Sequence, residues 1–247
     1  MDYSNENADG GTTFYLQIPD AGGSNHDTAV IIPAKFQIDP AVRVILYFHG
    51  WTDGKPDLRS YLHRTPTPLP LRKIVTDDGR FALCMPWLGP HSGGYSHITG
   101  SAAAFDRYLN AVVQAINAHT GSSANSAMSP GFELVLCAHS GGGDAMSASI
   151  VLPSAFIGSV AAVWAFDCFY SDRSSDWITW ANAHTNKSMS IFYTDTGAAV
   201  NTAPKSKKID AATGANVTAE ASAVVHDQIP KHYMPLLLAQ IDHDTSS

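Results

Sequence analysis

Phe132-Glu133-Leu134-Val135-Leu136-Cys137-Ala138-His139-Ser140-Gly141-Gly142-Gly143 decides how the rest of the chain is read. It opens with an apolar run of strand length, and a run without alternation marks a strand buried on both faces. It closes on a serine set among small residues, with Ala138 before it and Gly141 and Gly142 after it. Asp144-Ala145-Met146-Ser147-Ala148-Ser149-Ile150-Val151 follows and reads as a helix. A serine between a buried strand and a helix lies in a tight, strained turn, which only neighbours nearly without side chains permit. The sequence meets that condition, and Ser140 is the residue such a turn presents.

The flanking sequence alternates in the same manner. Upstream, Val42-Arg43-Val44-Ile45-Leu46-Tyr47-Phe48 is a second continuous apolar run, ending at His49-Gly50-Trp51, and Arg80-Phe81-Ala82-Leu83-Cys84-Met85-Pro86 is a third. Between these two runs, Pro56, Pro66, Pro68 and Pro70 leave room only for short helices. Residues 87–100 are glycine-rich and aromatic and read as a loop over a site. Ala104, Tyr108, Ala111, Val112, Ala115 and Ile116 recur at helical spacing across residues 101–119. Downstream, residues 157–166 read as a strand ending at Asp167, 174–184 as a helix, and 188–193 as a strand ending near Asp195. A polar loop is expected from Thr194 to about Ala221, then a terminal helix over 230–241 with Pro235 in its first turn. Near the amino terminus, residues 12–18 and 28–32 form a hairpin across Pro19-Asp20-Ala21-Gly22-Gly23-Ser24-Asn25. Strand-helix alternation after a hairpin means an α/β fold: a mostly parallel sheet with an N-terminal antiparallel hairpin and helices on both faces. No repeat or linker divides residues 1–247, so one domain is expected.

Composition narrows the function. With 45% hydrophobic and 15% charged residues among 247, the chain has material for a large core. A formal charge of −7 argues against nucleic acid, which demands clustered Lys and Arg. Cys84, Cys137 and Cys168 lie in or beside apolar runs without metal-ligand spacing, and read as buried thiols. No run of about 18 apolar residues offers a membrane span. The amino terminus lacks the basic and apolar regions of a secretory signal, so the expected compartment is the cytoplasm, with a removed signal peptide as the alternative. Oligomeric state leaves no mark in the sequence.

In an open parallel sheet, ligands bind beyond the carboxyl ends of the strands. The polar residues there are His49, Ser140, Asp167 and Asp195, and His226 follows the last apolar pair, Val224-Val225. Serine, then aspartate, then histidine is the chain order of an α/β-hydrolase triad. On His49-Gly50, Ala138-His139-Ser140-Gly141-Gly142 and that order, the chain resembles a compact bacterial-type α/β-hydrolase-fold serine hydrolase of the esterase/lipase kind. Phe166-Asp167-Cys168-Phe169-Tyr170 and His226-Asp227-Gln228-Ile229-Pro230 resemble that group more softly. Ala138 departs from the usual Gly-x-Ser-x-Gly.

The resemblance implies an ester cleaved through an acyl-enzyme on Ser140. His226 takes the serine's proton, an aspartate orients the imidazole, and the backbone N–H groups of Trp51 and Gly141 form an oxyanion hole. Asp167 is preferred as the acid because a carboxylate among apolar residues needs a partner; Asp195, after the seventh strand as is commonest in this fold, is the alternative. His226 is preferred over His232, which falls near the first turn of the terminal helix. His139 is expected to point away from the site. His49, Trp87, His91, Tyr95, Phe169 and Tyr170 are expected to rim a pocket for a small-molecule ester with an apolar or aromatic group. The loop after Trp51 is too short for a large cap. No cofactor or metal is called for; Asp242-His243-Asp244 reads as a frayed acidic tail. An amidase or peptidase, an acyltransferase, or a non-catalytic binding module of the same shape are the alternative readings.

Overall fold

A computed structural model describes residues 4–38, 41–63, 70–121, 131–195 and 202–244. Its centre is one sheet of nine strands: β1 (Ser4–Ala8), β2 (Gly11–Pro19), β3 (Asn25–Pro33), β4 (Val42–Phe48), β5 (Ala82–Pro86), β6 (Phe132–His139), β7 (Val160–Phe166), β8 (Ser188–Tyr193) and β9 (Val217–Ala221). They lie in the order β1-β2-β3-β5-β4-β6-β7-β8-β9. The first three form an antiparallel meander that joins β5 antiparallel, and β5 through β9 run parallel.

The continuous apolar runs have a direct cause. Val44, Leu46 and Phe48 on β4, with Leu134, Leu136 and Ala138 on β6, enter the core on one face. Ile45, Tyr47, Val135 and Cys137 enter a separate core on the other. Helices cover both. The first face carries α4 (Ala102–Thr120), α5 (Gly143–Ile150) and α7 (Ser174–Ala183); the second carries α1 (Leu58–Leu62), α2 (Leu71–Asp78) and α9 (Ile229–Asp244). Two one-turn helices, α3 (Ser96–Thr99) and α6 (Ala155–Gly158), and α8 (Ala203–Ala211) are the other α-helices among the described residues. The longest helix, α4, starts where the Ser101 hydroxyl accepts the Ala104 N–H at 3.1 Å and stops at Gly121, whose φ of 70° suits only glycine well.

Four expectations need correction. The stretch read as a polar loop from Thr194 to Ala221 contains α8 and β9; only Val217 is buried on β9, because an edge strand faces solvent on its open side. β1, at the opposite edge, is a strand that the sequence reading did not include; its residues Ser4-Asn5-Glu6-Asn7 are polar and only Ala8 is not. Pro235 lies inside α9 rather than in its first turn, exposed on the outer face, where water can satisfy the carbonyl it leaves unbonded. β7 begins at Val160, its first expected residues belonging to α6. The thiols of Cys84, Cys137 and Cys168 are buried and form no disulfide. No helix among the described residues is long and apolar enough to cross a membrane.

β1 is pinned by charge rather than packing. Glu6 accepts from Arg72 Nη1 on α2 at 2.7 Å and faces His63 Nε2 at 2.8 Å. Arg72 holds the Glu6 carboxyl below its ordinary pKa. Glu6→Ala is expected to cost about 1–3 kcal/mol by leaving the largely buried Arg72 guanidinium without its carboxylate. Urea unfolding monitored by far-ultraviolet circular dichroism measures this; an unchanged midpoint would remove β1's anchor from the account.

Candidate active site

The parallel strands finish in line. Phe48 on β4 is level with Ala138 on β6, His139 with Phe166 on β7, and Phe166 with Phe192 on β8. The residues beyond these ends therefore gather along one edge of the sheet: His49 and Gly50, Ser140, Asp167, and Thr194.

Ser140 has a φ of 52° and Asp167 a φ of 48°. Both are non-glycine residues in the left-handed region, which costs about 1–2 kcal/mol each. Close packing enforces the turn at Ser140. A Cβ at Gly50 would stand 2.5 Å from the Ser140 Cβ, one at Gly142 2.1 Å from the Phe48 carbonyl oxygen, and one at Gly143 1.9 Å from the Cys168 carbonyl oxygen. The loops after β4, β6 and β7 thus touch backbone to backbone around the serine. Ser140–Gly142 forms a single 3-10 turn that runs directly into α5, so the helix's amide end lies at the serine.

Asp167 is 1% exposed, and its carboxylate is filled with donors. Oδ2 lies 2.8 Å from His226 Nδ1 and accepts from Thr194 Oγ1 at 2.7 Å; Oδ1 accepts from the Thr194 N–H at 3.2 Å and from the Thr202 hydroxyl. Burial pushes the acid's pKa up, but the bonds from His226, Thr202 and Thr194 outweigh it and hold the group below its ordinary value. A carboxylate kept ionised makes Nδ1 the protonated nitrogen of His226, so Nε2 is left to act as acceptor.

The other residues divide clearly. Asp195 is exposed and meets Lys207 Nζ at 3.4 Å, and His232 is exposed on α9. Neither belongs to this cluster. His49 is fully buried: Nδ1 donates to the Gly50 carbonyl at 2.7 Å and Nε2 accepts the Leu88 N–H at 2.9 Å. Burial lowers its pKa to about 4, so it is a neutral brace beneath the loop rather than a group open to a ligand. Trp87 stacks on it with ring centroids 5.0 Å apart. The Thr52 N–H bonds the Pro90 carbonyl at 3.2 Å, tying the loop that bears Trp51 to the one that bears His91 and Tyr95. Trp51 is 60% exposed and His91 is exposed; Tyr95 packs partly on the core and Phe169 wholly within it, against Trp177. Tyr170, half-buried, interacts with the Ser140 hydroxyl, and burial with the nearby Asp167 charge raises its pKa to about 12.

Three features had no signal in the sequence. Thr194 and Thr202 complete the Asp167 cage from β8 and α8, and nothing local marks them. His139, expected to point away, packs its ring 4.5 Å from that of His226. The groups at this edge suit acid-base chemistry: a hydroxyl at a constrained turn that leads into α5, and an imidazole whose Nδ1 is held by a buried carboxylate.

No protein-family model and no curated protein matches the chain. Solved structures do. A cold-adapted esterase from an Arctic intertidal metagenomic library shares 13% identity over 99% of both chains, with a TM-score of 0.57. A feruloyl esterase module from Clostridium thermocellum, complexed with sinapinate, shares 11% identity over 100% of this chain and 96% of its own, at 0.64. Dienelactone hydrolase from Anabaena variabilis shares 11% over 94% and 95%, at 0.54. This chain has the α/β-hydrolase fold. In its version of that fold, the glycine after the serine is less tightly enclosed than the next two. A Cβ at Gly141 would stand 3.2 Å from the Ser92 hydroxyl oxygen and 3.3 Å from its Cβ, a tight contact that asks Ser92 to give by a fraction of an ångström, whereas the next two glycines meet backbone. Gly141→Ala is therefore expected to cost under about 1.5 kcal/mol, and Gly142→Ala and Gly143→Ala more than about 3 kcal/mol each. Thermal unfolding of the three variants checks this; equal losses would contradict the packing described.

Proposed function

We propose that this α/β-hydrolase is a serine hydrolase of carboxylic esters, working as a single domain with an open site. The observation that carries the reading is the 2.8 Å bond from His226 Nδ1 to the buried Asp167 carboxylate, with His139, the residue before the serine's strained turn, packed against the His226 ring. A serine hydroxyl is a weak nucleophile, and an imidazole oriented by a carboxylate is what activates it.

In this reading the hydroxyl turns from Tyr170 to His226 Nε2 and its oxygen attacks the ester carbonyl. His226 takes the proton as the bond forms. Negative charge builds on the carbonyl oxygen, and the N–H groups of Gly141 and Trp51 receive it, aided by the start of α5; one such donor contributes about 3–4 kcal/mol to the transition state. The imidazolium is stabilised by Asp167 and passes its proton to the departing alkoxide, leaving an acyl group on Ser140. Water, deprotonated by the same histidine, then attacks the acyl carbon, and the proton returns to the serine as the acid leaves. No cofactor enters any step.

Esterases among the solved structures of this fold favour an ester over an amide. The exposed indole of Trp51, one residue from Gly50 and so from the nucleophile's contact, suits an apolar or aromatic substrate group. Asp195 and His232 have no part in the reading.

A fluorophosphonate probe tests the nucleophile. The wild-type chain is expected to gain one probe mass, retained on the peptide containing Ser140, and Ser140→Ala to gain none; equal labelling of both would refute the assignment. His226→Ala should lower kcat on an activated ester by roughly 10³-fold or more, and His232→Ala by less than about threefold. A large effect at His232 and a small one at His226 would transfer the base.

A further inference from the structure

His139 has no part in the chemistry just described, yet it is only 6% exposed and lies against the proposed base. Its ring is inclined 34° to that of His226, and its Nε2 is 3.1 Å from the His226 main-chain oxygen. Asp227 follows His226 in a 3-10 turn (His226–Gln228) and is exposed. His139, His226 and Asp227 each offer one ligand atom, and these atoms lie within 4.8 Å of one another.

We propose that His139, His226 and Asp227 form a site for a divalent cation of the zinc class, and that the ion blocks the chemistry at Ser140 when bound. The blocking rests on the reading under Proposed function; the site itself does not. The three ligands come from two elements far apart in the chain, the end of β6 and the turn before α9, which only the fold brings together.

The donor set selects the ion. Two imidazoles and one carboxylate suit zinc and its neighbours, whereas calcium and magnesium seek mostly oxygen ligands. Three protein ligands leave a fourth position for water. Around a tetrahedral zinc the ligand atoms are about 3.3 Å apart, so the set must tighten slightly. Asp227 can supply that movement, since its side chain is exposed and on a short turn. The second requirement of a zinc site is already met. A metal-bound histidine normally gives its other ring N–H to a carboxylate, which fixes the ring. Asp167 does this at His226 Nδ1, and it leaves Nε2 as the nitrogen that meets the ion.

The consequence follows from that atom. Nε2 of His226 is the lone pair that must accept the Ser140 proton. An ion coordinated there occupies the lone pair, so the serine stays protonated and unreactive. Nothing is oxidised or cleaved, and removing the ion restores the base.

Two titrations on the full chain test the proposal. Zinc chloride is titrated calorimetrically into Ser140→Ala and into Ser140→Ala/Asp227→Asn, and hydrolysis of an activated ester is followed against zinc concentration in wild type and Asp227→Asn. The expected result is one zinc per chain, and a dissociation constant and inhibition constant both weakened at least about tenfold by Asp227→Asn. Zinc-free activity should change less than twofold in that variant, and a chelator should restore the inhibited wild type. Equal binding or equal inhibition with and without Asp227→Asn would overturn the site, since the ion would then sit at other histidines. Stoichiometric binding that depends on Asp227, in a chain that hydrolyses no ester even without zinc, would uphold the site and refute the hydrolase reading.

Discussion

Asp167 is a buried carboxylate, and burying a charge without partners is among the costliest things a fold can do. This chain offsets the cost with four donors drawn from three directions: His226 from the turn before α9, Thr194 through its backbone and its hydroxyl at the end of β8, and Thr202 at the start of α8. The carboxylate therefore does two things at once. It fastens the last third of the chain to the carboxyl edge of the central strands, and it holds His226 by its Nδ1 nitrogen. Loss of any one donor would leave a charge short of a partner in a dry site.

The constraint on the serine is steric instead. Gly50, Gly142 and Gly143 allow the loops after β4, β6 and β7 to meet backbone to backbone, and Ser140 is held at a φ that a free chain would avoid. His49 completes the clamp from below, neutral and with both nitrogens engaged, so that the loop carrying Trp51 has a fixed position relative to Leu88. Strain at Ser140 and at Asp167 is retained because packing and hydrogen bonding over-determine both turns.

Much of this was legible in the sequence, for a definable reason. β4 and β6 read correctly because both faces are covered, which forces uninterrupted apolar runs such as Val44-Ile45-Leu46-Tyr47-Phe48. The small residues around Ser140 were legible because a backbone contact leaves no choice of side chain. The edge strands β1 and β9 were not, since half of each faces water and Glu6 holds β1 by charge. Pro235 carries no local mark of its place in α9, because an exposed helix face tolerates a proline beyond the first turn. The Asp167 cage and the His139–His226 contact depend on residues far apart in the chain, and no local pattern records such a meeting. Asp167 differs from Asp195 in its neighbours on one physical point: an acid among Phe166, Cys168 and Phe169 cannot be buried alone.

That acid is where the account is most exposed to test. Steady-state hydrolysis of one activated ester by Asp167→Asn and Asp195→Asn, on folded protein of matched circular dichroism, measures it directly. The account predicts a fall in kcat of roughly 10²–10⁴-fold for Asp167→Asn, because an amide can favour the wrong tautomer of His226, and less than about twofold for Asp195→Asn. A small effect at Asp167 with a large one at Asp195 would contradict it.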